Sequence, residues 1–275
     1  MNSKNSILLV DPEFDPNTAA DCSLLIKITA DSLSYAIVDK SCNQLKAVYD
    51  QQECRNAGRE LANRLKNDSY LNLPFKEIKA SVFTENSIAV PDELFDPQDL
   101  NKYARYFVEA QSSNLYLQPV GRFGFTTIFN ISTAIEESLD TLNSCKRYDH
   151  SAALLSVGRE RETTSLNLDF TVGSVNVSYI NNEQLIFQKY YQIENSEEFN
   201  YYLLLIISQL KINLAKTTLY LSGIIHQNDS NHQCITKYFN TVHFAPAVEN
   251  NMDSRILDDM PAHYYSSLLA LDQCE

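Results

Sequence analysis

Bare backbone is scarce in this chain. Six glycines are spread over 275 residues, so a loop that wraps a triphosphate in successive backbone amides has little material to draw on. Positive charge is scarce too: 22 Lys and Arg stand against 35 Asp and Glu, a net charge of −13 at pH 7. Phosphate backbones are bound by concentrated Lys and Arg, so nucleic acid is excluded as a partner class, and an anionic membrane surface with it. The six cysteines, at 22, 42, 54, 145, 234 and 274, include no C-x-x-C pair. A chain of this length needs no disulfide scaffold, and they read as small buried apolar residues in a reducing compartment. Long apolar runs are absent. Residues 7–10 are too few for a signal-peptide core, and residues 203–207 fall far below the roughly 20 of a membrane helix. The expected location is cytoplasmic, without direct membrane insertion. No G-x-S-x-G elbow and no Walker lysine loop occurs.

What the chain does have is a second copy of its own pattern. Residues 24–52 read LLIKITADSLSYAIVDKSCNQLKAVYDQQ, and residues 166–193 read LNLDFTVGSVNVSYINNEQLIFQKYYQI. Laying Leu168-Asp169-Phe170 over Ile26-Lys27-Ile28 puts Ser174-Val175 over Ser32-Leu33 at the same offset of 142. Leu24, Ile26 and Ile28 alternate as Leu166, Leu168 and Phe170 do, so each copy reads as three strands joined by tight turns. A helix follows each. Cys54, Ala57, Leu61 and Leu65 form one apolar stripe; Asn195 and Glu198 make a capping box before residues 199–210, a helix apolar on most sides and expected to be the more deeply buried. Strands at 78–83 and 218–221 complete βββαβ twice, which points to a duplicated domain.

Between the copies, residues 99–110 read as a helix, and 115–120 and 125–131 as strands joined at Gly121–Gly124. Thr133 and Glu136 suggest a capping box opening another helix. Residues 151–157 read as a strand leading into the second copy. The tail suggests a strand at 241–244 and a helix at 264–271.

The doubled βββαβ unit resembles the actin-like ATPase fold, and more narrowly the chain resembles a bacterial family called domain of unknown function 3822. The resemblance implies an α/β protein of two duplicated ribonuclease-H-like domains: 1–150, carrying an inserted helix and strand segment at 86–150, and 151–275. In the actin-like fold the two domains clasp a nucleotide. Its first phosphate loop carries Asp-x-Gly, where this chain has Lys27 and Thr29. Its second corresponds here to Asp169, Thr171, Gly173 and Ser174. Its adenosine motif, a strand ending in a Gly pair, corresponds to Ser222 and Gly223, with Ile224 for the second Gly. These eight residues outline a vestigial nucleotide cleft, with Lys27 in place of a metal-organising carboxylate. The plainer reading makes Asp169 an exposed strand residue, Gly173 the hinge of a hairpin and Gly223 a strand end.

Three functions stay open. One is a non-enzymatic binding or scaffold module with no cofactor and a protein partner. Another is a divergent ATPase or kinase holding Mg-ATP through Asp169, Gly173 and Gly223, with Lys27 on a phosphate. The last is a cytosolic adaptor for a membrane-associated assembly, taking a short peptide of a membrane protein. His226, His232 and Cys234 lie close together but match no metal-ligand spacing, and residues 228–231 read as a solvated loop. The 16 tyrosines suit interfaces and cores alike.

Overall fold

Alternation along each strand sorts one apolar face into a core and leaves the other face mixed, and the chain does this in two separate sheets. The computed structural model describes residues 5–107, 114–157, 164–245 and 252–274. It divides into two compact units, Met1–Ala152 and Ala153–Glu275.

The first unit contains β1 (Ser6–Val10), β2 (Cys22–Ile28), β3 (Leu33–Asp39), β4 (Gln44–Gln51), α1 (Ala57–Asn67), β5 (Glu77–Val82), β6 (Ser87–Pro91), α2 (Leu100–Tyr103), β7 (Tyr116–Val120), β8 (Phe125–Phe129), α3 (Thr133–Asp140) and β9 (Cys145–Asp149). Its main sheet has the order β1-β4-β3-β2-β5-β9, and β6-β8-β7 form a small antiparallel sheet. Leu24, Ile26, Ile28, Tyr35, Ile37 and Tyr49 pack under α1 through Leu61. The Asn56 side chain caps α1 by accepting from the Arg59 N–H at 2.9 Å, while Arg64 and Lys66 stand at its negative end.

Helix α4 (Ser151–Val157) crosses the division. The second unit then contains β10 (Ser165–Phe170), β11 (Ser174–Asn181), β12 (Gln184–Gln192), α5 (Ser196–Leu210), β13 (Thr218–Gly223), α6 (Ser230–Thr236), β14 (Val242–Phe244) and α7 (Ser266–Ala270). Its sheet order is β12-β11-β10-β13-β14. Within β4-β3-β2-β5-β9 and within this sheet the senses run alike: antiparallel, antiparallel, parallel, parallel. Even the bulge recurs, between Ile37 and Val38 on β3 and between Tyr179 and Ile180 on β11.

Several sequence expectations need correction. Residues 151–157 form a helix, not a strand. Asp149 Oδ1 accepts from the Ser151 N–H at 2.9 Å and starts it, and residues 151–155, all buried, show no period to separate helix from strand. Helix α5 is not the more deeply buried one. Only Phe199, Leu203 and Ile206 are buried, whereas Tyr201 and Leu204 are 61% and 41% exposed, because the sheet covers one side of the helix alone. Thr133 is not a cap; Ser132 holds that position, and the Glu136 carboxylate accepts instead from Asn114 Nδ2 and the Tyr116 hydroxyl. The 228–231 stretch is not wholly a loop. Asp229 accepts from the His232 N–H at 2.7 Å and caps α6. The helix expected at 99–110 is α2 and a following 3-10 turn, Ala104–Tyr106; residues 108–110 lie outside the described residues. Strands β1, β6 and β9 were not evident in the pattern.

Candidate functional site

The sequence comparison sets two tight turns in equivalent positions, and the two are built alike. After β2, the Thr29 N–H donates to the Ser32 carbonyl at 3.0 Å, and after β10 the Thr171 N–H donates to the Ser174 carbonyl at 2.9 Å. In the first turn, the N–H groups of Asp31 and Ser32 donate to Thr29 Oγ1 at 3.3 and 2.9 Å. Thr29 Oγ1 also donates to Asp31 Oδ1 at 2.8 Å and meets Ser32 Oγ at 2.7 Å. In the second turn, Thr171 Oγ1 and Ser174 Oγ are hydrogen-bonded to each other, and the Tyr190 hydroxyl donates to Ser174 Oγ at 2.6 Å. A phosphate loop presents its amides outward to an anion. In the first turn a buried threonine hydroxyl takes two of those amides. The repeated Thr-x-x-Ser was visible in the sequence at the offset of 142 and was the missed signal.

Asp169 is 3% exposed, which corrects the expectation of a surface strand residue. It sits beside Ser222 in the β10–β13 register and accepts from the Ser222 hydroxyl at 2.9 Å. Its neighbours on that face, Ser165, Asn167, Ser174, Asn176 and Ser178, are also buried. The face is a dry polar layer in which these groups answer one another, as buried polar groups must: Asn167 Nδ2 reaches Ser178 Oγ at 3.3 Å, and Gln188 Nε2 reaches Asn176 Oδ1 at 2.9 Å.

Gly223 ends β13 in the left-handed region, at φ 77°. A Cβ there would lie 2.0 Å from the Phe170 carbonyl oxygen and 2.8 Å from the Phe170 nitrogen. Its N–H donates to the His263 carbonyl at 2.9 Å, and the Ile224 N–H donates to the Phe170 carbonyl at 2.8 Å. Gly223 therefore admits the chain's own backbone. Gly173 lacks that conformation; the left-handed glycines among the described residues are Gly124 and Gly223. Its carbonyl accepts from the Ile193 N–H at 2.8 Å.

Lys27, half-buried, lies on the mixed face of β2. Its register partners are Ser34 on β3 and Ser81 on β5, and Ser34 in turn pairs with Asp50 on β4. Burial pushes the Asp50 carboxyl up to about 6, opposed by a hydrogen bond from Gln52 and by the charge of Lys27, and reinforced by Asp31. The Lys27 charge thus acts on the Asp50 carboxyl of its own unit. Lys27 and Thr29 belong to the first unit, and the other six predicted residues to the second. No group of three His, Cys, Asp or Glu among the described residues is placed to hold a metal. His232 Nδ1 accepts from the Asn228 N–H at 3.2 Å.

Residues 11–242 match the family described as protein of unknown function, DUF3822. No curated protein matches the chain. Among solved structures, a Bacteroides thetaiotaomicron protein with an actin-like ATPase fold and unknown function superposes with a TM-score of 0.74 at 16% identity, over 95% of this chain and 99% of that one. The PilM-PilN type IV pilus biogenesis complex gives a TM-score of 0.63 at 13% identity, over 91% and 97%. The ethanolamine utilization protein EutJ of Carboxydothermus hydrogenoformans gives 0.53 at 7%, over 97% and 93%. At these identities the likeness shows the fold, which is that of the actin-like ATPases.

Proposed function

The chain belongs to the DUF3822 family, and from that premise we propose that it is a non-enzymatic binding or scaffold module whose nucleotide grip has been dismantled. The observation that carries this reading is the occupation of the grip by the protein itself: Thr29 Oγ1 takes the Asp31 and Ser32 amides, and the Phe170 backbone fills the space beside Gly223. Lys27, at the position of the carboxylate that organises Mg²⁺, supports it further, since a cation there repels the metal. On this reading Asp169, Thr171, Gly173, Ser174 and Ser222 are remnants now serving the sheet. The strand order that β4-β3-β2-β5-β9 shares with β12-β11-β10-β13-β14 and the register shifts recurring 142 residues apart support descent from one duplicated ribonuclease-H-like unit, 1–150 and 151–275.

The partner is a protein, in a bacterial cytoplasm. The likeness of fold to the PilM-PilN complex favours the adaptor form of this reading, in which the chain takes a short segment of a membrane-associated assembly. No described helix is long and apolar enough to cross a membrane.

Calorimetric titration of Mg-ATP into the protein is expected to give no saturable heat, and a melt in excess Mg-ATP no shift. A ligand at a hundred times its dissociation constant stabilises by about 2.7 kcal/mol, which a melt detects readily. Stoichiometric binding abolished by Asp169→Ala would establish the divergent ATPase or kinase instead.

A further inference from the structure

Helix α5 is apolar in every direction over its middle, yet covered in only some of them. Residues 201–207 read YYLLLII, and a helix apolar all round is normally enclosed by protein. Phe199, Leu203 and Ile206 form its buried side. One flank lies against α6 and the Tyr238 that follows it: Cys234 Sγ approaches the Ser196 carbonyl at 3.6 Å, and the Tyr238 hydroxyl donates to Asn200 Oδ1 at 3.1 Å. The other flank lies against β12, where the Tyr202 and Tyr191 ring centroids are 4.6 Å apart. Between the two flanks stand Glu197, Tyr201, Leu204 and Ser208, all exposed.

The steps between those four residues are four, three and four, the spacing of a helix-to-helix seam. Continued by the same rule, the seam begins at Glu194, just before the Asn195 cap, and ends at Lys211, the residue that closes the helix. It is acidic at its start, apolar at its centre and basic at its end.

We propose that this seam packs antiparallel against the same seam of a second copy, about a two-fold axis between Tyr202 and Leu203. The order of residues along the seam selects this occupant. Turned end for end upon itself, it sets Tyr201 against the partner's Leu204 twice, so both exposed apolar residues are covered. It sets Glu197 against the partner's Ser208, and it brings Lys211 to the acidic start of the partner's seam, beside the partner's Glu194 and Glu197. A parallel pair would set Glu197 on Glu197 and Lys211 on Lys211, so charge decides the direction. One chain thus supplies both the acidic and the basic end that its seam must meet.

The inference is independent of the nucleotide reading, and its test is the mass of the full chain in solution, by sedimentation velocity over a concentration series. The wild type is expected to be mostly dimeric at about 100 µM, as a dissociation constant of about 10 µM or tighter gives. Leu204→Glu buries a charge against the partner's Tyr201 and is expected to weaken association at least about tenfold. Tyr201→Glu, also at an exposed position, is expected to do the same and serves should the first variant fail to fold; circular dichroism checks each. Direction and register are tested by charge reversal. Lys211→Glu alone, and Glu194→Lys with Glu197→Lys, each bring like charges together and are expected to weaken the dimer. An equimolar mixture of these two proteins is expected to recover it as a mixed pair, because every reversed charge then meets its opposite. A monomeric wild type, including one that takes up a foreign amphipathic helix on α5, overturns the proposal. So do Leu204→Glu and Tyr201→Glu proteins that associate as the wild type does, charge reversals without effect, or a mixture no more associated than its components.

Discussion

Gly223→Ala is expected to destabilise the second unit by about 3–5 kcal/mol, among the largest effects a single methyl group produces. The backbone at φ 77° already disfavours an L side chain. The added Cβ would stand 2.0 Å from the Phe170 carbonyl oxygen and 2.9 Å from its carbon, and those atoms are fixed in β10 with no rotamer to yield. Relief requires β13 to separate from the end of β10, which breaks the Ile224 N–H bond to Phe170 and the Gly223 N–H bond to His263. Urea unfolding followed by circular dichroism measures the loss. Gly121→Ala is the control, since nothing lies within 4 Å of its Cβ, and it is expected to stay within about 0.5 kcal/mol of the wild type. A Gly223→Ala protein as stable as that control would mean that the glycine is kept for a ligand and not for Phe170, and the reading of a self-filled site would fall with it.

Asp50→Asn is expected to stabilise the protein above neutral pH and to leave it unchanged near pH 4. The carboxyl is 6% exposed, and burial lifts it from 3.8 to about 6. A folded-state value above the unfolded one means that folding favours the protonated acid. The resulting stability is complete below about pH 4 and is lost as the pH rises through 6. Each tenfold change in proton affinity is worth about 1.4 kcal/mol, so the loss by pH 8 is about 3 kcal/mol. Asparagine stays neutral across that range and keeps an oxygen for the Gln52 Nε2 hydrogen bond, 2.8 Å long in the wild type. Thermal or urea stability should therefore fall for the wild type between about pH 4 and 6 and level off above that, and run flatter for the variant, with the gap opening from about pH 4 and complete a little above pH 6. Parallel curves would mean that Lys27 holds Asp50 ionised throughout, as a true ion pair.

Much of the architecture was legible because it rests on short-range chemistry. Apolar residues at every second position of 24–28 and 166–170 dictate strands whatever their partners, and the offset of 142 sets the first two strands of each copy over one another, with a third strand and a helix following in both. Errors came where period was missing. Residues 151–157 are apolar without rhythm, and Asp149 decides for a helix by capping Ser151. Thr133 and Glu136 have the spacing of a capping box, but the Tyr116 hydroxyl, twenty residues away in sequence, claims the carboxylate. The burial of α5 was overestimated because composition reports how apolar a helix is and not how many neighbours surround it.

The same division holds at the candidate site. By itself the sequence determined that the chain forms two like sheets and that Lys27 and Thr29 of the first turn stand opposite Asp169 and Thr171 of the second at the offset of 142, because residue identity at a fixed spacing is all that those statements need. Only the tertiary structure decided what these residues do. Asp169 turns to Ser222 in a dry polar layer, the Thr29 hydroxyl captures its own amides, and the gap beside Gly223 holds Phe170. The Thr29 contact closes within one turn, whereas the other two depend on β10 and β13 brought side by side: a hydrogen bond or a steric gap exists between partners, and strand pairing chooses the partner.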